Sequence, residues 1–139
     1  MTKIPDFGAA VDATQDWVDD LMRRLSWRDR ARVYQALVAT LHALRDVLSR
    51  DECVFLGAQL PTLLRGFYYE GWHPGTHAVA ETRSAFLERI HDGLHRDAGV
   101  DAEQVAHCVF ALLASRLPAA ELEDTKAATP SELHNLWPS

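Results

Sequence analysis

The sequence predicts an all-α fold: a single compact helical bundle made of two tandem repeats of about four helices each. Apolar residues recur at steps of three and four along most of the chain, which is the pattern of one helix face. No segment shows sustained alternation of apolar and polar residues, so no strand is expected. The offset that carries Pro61 onto Pro130 aligns the second half of the chain with the first without a gap.

The helices follow from this periodicity, taken in chain order. Trp17, Leu21 and Leu25 share one face and predict a first helix over about 14–25, preceded by a short N-terminal arm. The stripe from Val33 to Leu48 predicts a second helix over about 30–48. The other six are expected at about 50–60, 61–69, 82–95, 102–116, 119–128 and 130–137.

Capping signals place several of the helix starts. Ser49 with Glu52 has the spacing of a capping box, in which the hydroxyl accepts a free amide and the carboxylate reaches back. Thr129, Pro130 and Glu132 form the same kind of signal. Thr129 would cap, and Pro130 would sit where its missing N–H costs nothing. Both proline-started segments occupy the same place in their repeats.

The internal duplication joins apolar positions that lie on helix faces. The aligned pairs are Leu25 with Leu94, Leu44 with Leu113, Leu64 with Leu133, and Tyr68 with Trp137. One four-helix unit cannot bury both of its sides, so the two halves are expected to share one core. The prediction is one domain over 1–139, with repeat one at about 14–69, a linker at 70–81 and repeat two at about 82–137.

Composition sets limits on the partners and the location of the protein. The chain has 139 residues, 47% hydrophobic and 24% charged, as expected of one globular domain. Its net charge of −6 argues against generic nucleic-acid binding. No apolar run approaches the roughly 20 residues of a membrane span. Cys53 and Cys108 form no CxxC pair, which favours free thiols and a cytoplasmic location.

The stretch GFYYEGWHPG, residues 66–75, is either the packing of a corner or part of a ligand site. Tyr69, Trp72 and His73 lie outside the duplicated pattern, so a site built from this stretch would start with them. Two further candidates are His42, which is either exposed or bonded to a carboxylate, and Arg65, which could pair with Glu70 or bind an anion. Structural roles remain the alternative for each.

A possible metal motif occurs later in the chain. Glu88, His91 and His95 form E-x-x-H-x-x-x-H on the predicted fifth helix, and E-x-x-H is a ligand pattern of metal-binding bundles. Such sites need inward ligands from several helices, whereas Glu88 and His95 lie opposite the apolar stripe. We therefore expect a surface histidine pair, no bound metal and no cofactor.

The run LHALRDVLSRDECVFLGAQLPTLLRGFYYEGWHP resembles the bacterial family catalogued as domain of unknown function 2267. The resemblance continues through FLERI and the closing PSELHNLWP, and covers nearly the whole chain. It implies an all-helical, tandemly repeated bacterial domain with no established activity. It supplies no catalytic residues.

Three functions remain open on the sequence alone. A non-catalytic protein-interaction or scaffold module predicts an exposed apolar patch and either a protein partner or self-association. The alternative is a small-ligand or metal-binding bundle, with its site at the aromatic and histidine-bearing linker. An enzyme is not supported, because the sequence has no nucleophile elbow, no glycine-rich phosphate loop and no catalytic residue to name.

Overall fold

The computed structural model describes residues 2–74 and 82–139. Over these residues the chain forms seven α-helices, one 3-10 helix and no strand, which confirms the all-α fold class. The helices are α1 (Pro5–Leu25), α2 (Arg30–Val47), α3 (Arg50–Gly57), α4 (Thr62–Tyr69), α5 (Arg83–Asp92), α6 (Ala102–Arg116), α7 (Ala119–Ala128) and a C-terminal 3-10 helix (Ser131–Leu136). Most of the predicted linker at 70–81 lies outside the described residues.

One hydrophobic core joins the helices of both halves of the chain. Helix α1 packs against α2 and α6, α2 packs against α5, and α3 packs against α7. The largest side chains with no exposed surface include Leu21, Leu44, Tyr68, Phe86 and Phe110. No helix among the described residues combines the length and the apolar character needed to cross a bilayer.

The expected N-terminal arm is instead the beginning of α1, which starts at Pro5 rather than near residue 14. Proline is well tolerated at the first position of a helix, and Asp6 in the first turn interacts favourably with the helix dipole. The prediction was wrong because it required a core-facing residue in every turn. Residues 5–13 are helical although none of them is buried.

Helix α5 ends earlier than the predicted 82–95, at Asp92. His95 and Arg96 follow in the left-handed conformation, with φ of 58° and 53°. The backbone N–H of Arg96 donates to the His91 carbonyl oxygen at 2.9 Å, which closes the end of the helix. His95 therefore does not lie on the same helix as Glu88 and His91, and the expected three-residue motif is broken.

The capping prediction holds for the Ser49 hydroxyl and fails at Thr129. The reciprocal half of the box at Ser49 is not formed, because Oε2 of Glu52 is buried without a partner among the described residues. The Ser49 hydroxyl accepts the Glu52 backbone N–H at 3.3 Å at the start of α3. The Thr129 hydroxyl instead donates to the Lys126 carbonyl oxygen at 2.7 Å. The Glu132 carboxylate accepts a hydrogen bond from the Arg83 backbone N–H at 3.2 Å, so it caps the first turn of α5. The C-terminal segment is accordingly a 3-10 helix rather than a capped α-helix.

Helices α2 and α5 come into close contact where the two halves meet. A Cβ atom placed on Gly93 would lie 2.6 Å from the Cβ of Ala39, which is closer than real side chains approach. Only glycine therefore fits at this position with Ala39 opposite it. The contact fixes the separation of the two helices beside a polar groove described below.

Candidate functional site

The aromatic stretch forms a packed corner between α3 and the end of α4. The hydroxyl of the fully buried Tyr68 donates to the Cys53 carbonyl oxygen at 2.8 Å. The Tyr69 ring packs against the rings of Tyr68 and Trp72, with centroid distances of 4.9 and 5.4 Å. Its hydroxyl lies over Gly57, where a Cβ would collide with it. Tyr69 and Trp72 are half-buried here, so much of their ring surface is used in packing.

The cysteine at this corner is held in its neutral form. Burial raises the pKa of the Cys53 thiol, and the hydrogen bond from Tyr68 only partly opposes that effect. Burial also raises the pKa of the Tyr68 hydroxyl. A protonated, fully buried thiol is a poor nucleophile and a poor metal ligand. The Cys53 and Tyr68 pair is therefore structural.

The Arg65 side chain binds backbone carbonyl oxygens in the turn between α3 and α4. Its guanidinium donates to the carbonyl oxygens of Gly57 and Leu60, both at 2.9 Å, and of Ala58 at 3.4 Å. These are carbonyls that the end of α3 leaves without helical partners. The structure thus gives Arg65 a capping role, which is the structural alternative to pairing with Glu70 or binding an anion.

His42 and His73 lie in different surroundings. The Nε2 atom of half-buried His42 lies 2.7 Å from the Phe67 carbonyl oxygen, where a carboxylate partner was one of the expected alternatives. Because a carbonyl can only accept, Nε2 carries the proton in this contact. His42 therefore ties α2 to α4. His73 is exposed just beyond Trp72, at the edge of the described part of the chain.

Arg45 is a buried charge that the sequence reasoning missed. It is only 6% exposed. Its Nη1 atom donates to the carbonyl oxygens of Tyr68 and Glu70, both at 2.9 Å, and its Nε donates to Asp46 at 2.8 Å. A signal was present, because Arg45 stands four residues after Leu41, on the apolar stripe of α2. An arginine at such a position must find partners for its guanidinium inside the fold.

A polar groove, which we call the seam groove, runs between α2 and α5 beside this arginine. It has a volume of about 300 Å³ and is lined by Ala39, His42, Arg45, Asp46, Arg89 and Gly93, among others. Asp46 bridges the two arginines, since its carboxylate also accepts from Arg89 at 3.3 Å. The groove therefore brings His42 together with three charged side chains that were not predicted as a site.

The metal candidates do not converge. Glu88 accepts a hydrogen bond from Arg96 at 2.9 Å, and the Nε2 atom of His91 lies 2.6 Å from the Asp97 carbonyl oxygen. His95 is exposed and lies beyond the end of α5. Within residues 2–74 and 82–139, no three His, Cys, Asp or Glu side chains are grouped as metal ligands would be.

A cluster of charged residues joins α1 to α6 across the two halves. Asp20 accepts from Arg24 at 2.9 Å, and from the Nη2 and Nε atoms of Arg116 at 2.9 and 3.2 Å. Arg116 also lies over the Trp17 ring, 5.6 Å from its centroid. Burial by itself would raise the pKa of the Asp20 carboxyl, but the two arginines outweigh burial and hold that pKa below its ordinary value.

This arrangement predicts a pH-dependent stabilisation. A carboxyl with a lowered pKa in the folded state stabilises the fold above its unfolded pKa of about 3.9, and the effect disappears as the pH falls through the folded value. Asp20→Asn should therefore lower the free energy of unfolding by about 2 kcal/mol at neutral pH. The difference from wild type should vanish in acid, as measured by urea unfolding at several pH values.

The matched control is Glu123→Gln, which removes an exposed ion pair with Lys126 at 3.6 Å. This variant should change stability by about 0.5 kcal/mol or less. An Asp20→Asn effect that stayed constant down to the lowest pH would contradict the assignment.

An exposed apolar strip lies on the first turns of α1. It consists of Ile4, Phe7 and Val11, which are 52%, 67% and 51% exposed. Phe7 and Val11 lie on one face of α1, and Ile4 is the extended residue that immediately precedes the helix. The strip was not predicted, because these residues were expected to form an arm. The spacing of the three residues, together with Pro5 at the helix start, was the signal that could have revealed it.

The strip leads into a second groove, which we call the α1 groove. Its volume is about 300 Å³, and its lining includes Val11, Thr14 and Val18 of α1, Tyr34 of α2, and Leu63 and Phe67 of α4. Leu63 is itself 36% exposed, and the Tyr34 and Phe67 rings meet edge to face at 5.4 Å. The strip and this groove form one continuous apolar surface, joined at Val11.

The fold and these surfaces define an all-α bundle protein that carries an exposed apolar strip and a separate polar groove. A comparison with curated proteins finds no match to the chain. The chain belongs to the family described as "Uncharacterized conserved protein (DUF2267)", which matches residues 14–136. This match confirms the predicted family. The strip residues Ile4, Phe7 and Val11 precede the matched range.

Proposed function

We propose that the protein is a non-catalytic protein-interaction module whose docking surface is the apolar strip with the adjoining α1 groove. The observation that carries this proposal is the exposure of Phe7 and Val11 on one face of α1, with Ile4 exposed directly before the helix. Scattered apolar residues on a surface need no explanation, but a continuous apolar patch is a feature of interaction sites. The strip is also the kind of patch that the interaction hypothesis expects.

The strip has the form of a helix-recognition surface. A groove between helices that continues into an apolar helix face can accept another amphipathic helix. The groove is bordered by α1, α2 and α4, whose side chains are held by the core on the opposite side. The docking surface is therefore preorganised, apart from the first turns of α1.

A photo-crosslinking experiment tests this function. Phe7 is replaced by a benzophenone amino acid in the cells that make the protein, and the same substitution at Val54, 47% exposed on α3, is the control. We expect a discrete adduct from position 7, identified by mass spectrometry, that is lost when Val11→Asp is added. No adduct at position 7, or the same adducts from both positions, would contradict the proposal.

A small-ligand-binding bundle is the second candidate, and the seam groove is the observation in its favour. It gathers His42, Arg45, Asp46 and Arg89 around about 300 Å³. The expected alternative had the site at the linker of residues 70–81, in which His73 is exposed. Titration calorimetry with inorganic phosphate would test the groove, and the absence of heat at millimolar phosphate would oppose a simple anion site there.

We further propose that the chain is a tandem repeat, with the offset that carries Pro61 onto Pro130, forming one domain over 1–139. Three pairs of element boundaries are separated by this same offset: the ends of α2 and α6, the beginnings of α3 and α7, and the beginnings of α4 and the 3-10 helix. The offset also carries Ser26 onto His95, and both residues have φ of 58°. In this alignment α1 corresponds to α5, and α2 corresponds to α6. The contact of α1 with α6 and the contact of α5 with α2 are therefore equivalent contacts between the two repeats. A bacterial, cytoplasmic setting stays a prediction.

A further inference from the structure

We propose that the apolar strip docks a second copy of this chain, in an antiparallel, two-fold arrangement centred near Val11. This inference rests on the proposed interaction function and adds the identity of the partner. The surface involved is the strip together with the α1 groove of each copy.

The seam along α1 has the spacing of a coiled-coil interface. Apolar or small positions alternate at steps of three and four from the N-cap residue of α1 to its last turn: Ile4, Phe7, Val11, Thr14, Val18, Leu21 and Leu25. A strict alternation of this kind is the pattern that packs one helix against another along a narrow seam. The last four of these residues are buried, whereas the first three are about half exposed or more. The same seam is therefore covered at one end and uncovered at the other.

In an antiparallel pair of α1 helices, each copy would cover the exposed end of the other copy's seam. If Val11 meets Val11 across a two-fold axis, Phe7 of each copy lies over the turn that carries Thr14 in the other. Ile4 then lies near Val18, on the floor of the α1 groove. Each copy supplies both the inserting strip and the receiving groove, which is what an isologous interface requires.

The receiving groove also has a polar group without a partner. Thr14 is 6% exposed and lines the groove, and its hydroxyl makes no hydrogen bond among the described residues. A buried hydroxyl in that state is costly unless a partner molecule satisfies it. The side of α1 that carries Gly8 is open, because a Cβ there would meet nothing within 4 Å. A second helix can therefore approach the strip closely.

Charge favours the antiparallel direction. With Val11 at the centre, the segment that precedes α1 and carries Lys3 comes near the turn of the other copy that carries Asp19, whose side chain is 32% exposed. A parallel pair would place Lys3 against Lys3, and like charges at an interface disfavour the arrangement that brings them together. Asp19 already accepts from Arg30 at 2.7 Å, so the carboxylate would be shared between two cations.

The docking element is additional to the repeated fold. The family match begins at residue 14, whereas α1 already begins at Pro5. The uncovered part of the seam in each copy consists of three side chains, Ile4, Phe7 and Val11, which is a small contact for a dimer. We therefore expect a reversible dimer that forms with rising concentration. Because each copy carries a net charge of −6, added salt should strengthen the association.

Sedimentation velocity of the full chain, from micromolar to near-millimolar concentration, tests the dimer. Phe7→Glu is compared with wild type and with Val54→Glu, a matched charge at an exposed apolar position on α3. We expect wild type and Val54→Glu to dimerise alike and Phe7→Glu to associate at least tenfold more weakly. Wild type that stays monomeric at the highest concentration overturns the proposal, and so does equal dimerisation of Phe7→Glu.

A disulfide-trapping pair tests the register. Val11→Cys lies at the expected two-fold axis, whereas Ala9→Cys is exposed on the opposite face of α1. Mild oxidation should give a covalent dimer of Val11→Cys at least tenfold faster than of Ala9→Cys. Equal rates overturn the antiparallel register. A monomeric wild type whose position 7 still crosslinks to a different protein would overturn the second copy as partner and leave the interaction function standing.

Discussion

Replacing Arg45 by methionine is expected to lower the free energy of unfolding by about 3 kcal/mol, although methionine keeps much of the apolar volume of the arginine side chain. The reason lies in the carbonyl oxygens of Tyr68 and Glu70. Both accept from the same Nη1 atom, and Arg45 is only 6% exposed. A polar group left unsatisfied after its partner is removed costs about 1 to 3 kcal/mol.

The measurement is a urea titration of Arg45→Met beside Arg50→Met, where Arg50 is exposed at the start of α3. The control should change stability by about 0.5 kcal/mol or less. An Arg45→Met protein as stable as wild type would contradict the role assigned to these two hydrogen bonds. The free energy of unfolding of Arg45→Lys should lie between those of wild type and Arg45→Met, because one ammonium group cannot reproduce the planar set of guanidinium donors.

Leu44→Ala and Leu113→Ala are each expected to lower the free energy of unfolding by about 3 kcal/mol. The two leucines occupy equivalent positions of the proposed repeats, on α2 and α6, and neither has exposed surface. If both halves contribute to one core, removing either side chain opens a cavity in the same cooperative unit. Both variants should therefore unfold in a single transition at lower urea concentration.

Leu63→Ala provides the matched control, because Leu63 is 36% exposed on α4 and should lose less than about 1 kcal/mol. Two separate transitions, or a large loss for one core leucine and almost none for the other, would contradict a shared core. Circular dichroism and tryptophan fluorescence can follow the same titration. Coincident curves from the two probes are the expected result.

The helices were predictable because their signals are local. The stripe from Val33 to Leu48 and the capping serine at Ser49 define their own neighbourhoods, so α2 and the start of α3 follow from a few adjacent residues. The prediction of where α1 begins was wrong for the opposite reason. Its first turns are helical without burial, and hydrophobic periodicity alone does not distinguish an exposed helix from an arm.

The surroundings of the candidate residues could not be predicted in the same way. Arg45 meets the carbonyl of Tyr68, 23 residues along the chain, and His42 meets the carbonyl of Phe67. Such contacts depend on how helices cross, which no short stretch of sequence specifies. The residue types in the stretch at 66–75 were informative, but whether Tyr69 would face a ligand or Gly57 was a question of tertiary packing.

The tight crossing of α2 and α5 at Ala39 and Gly93 has a consequence for engineering. The width of the seam groove is fixed by two small residues at its base and not by the charged side chains along its walls. Other side chains could therefore replace the charged wall residues without altering the separation of the two helices. The bundle thus offers a rigid frame on which a new molecular specificity could be installed.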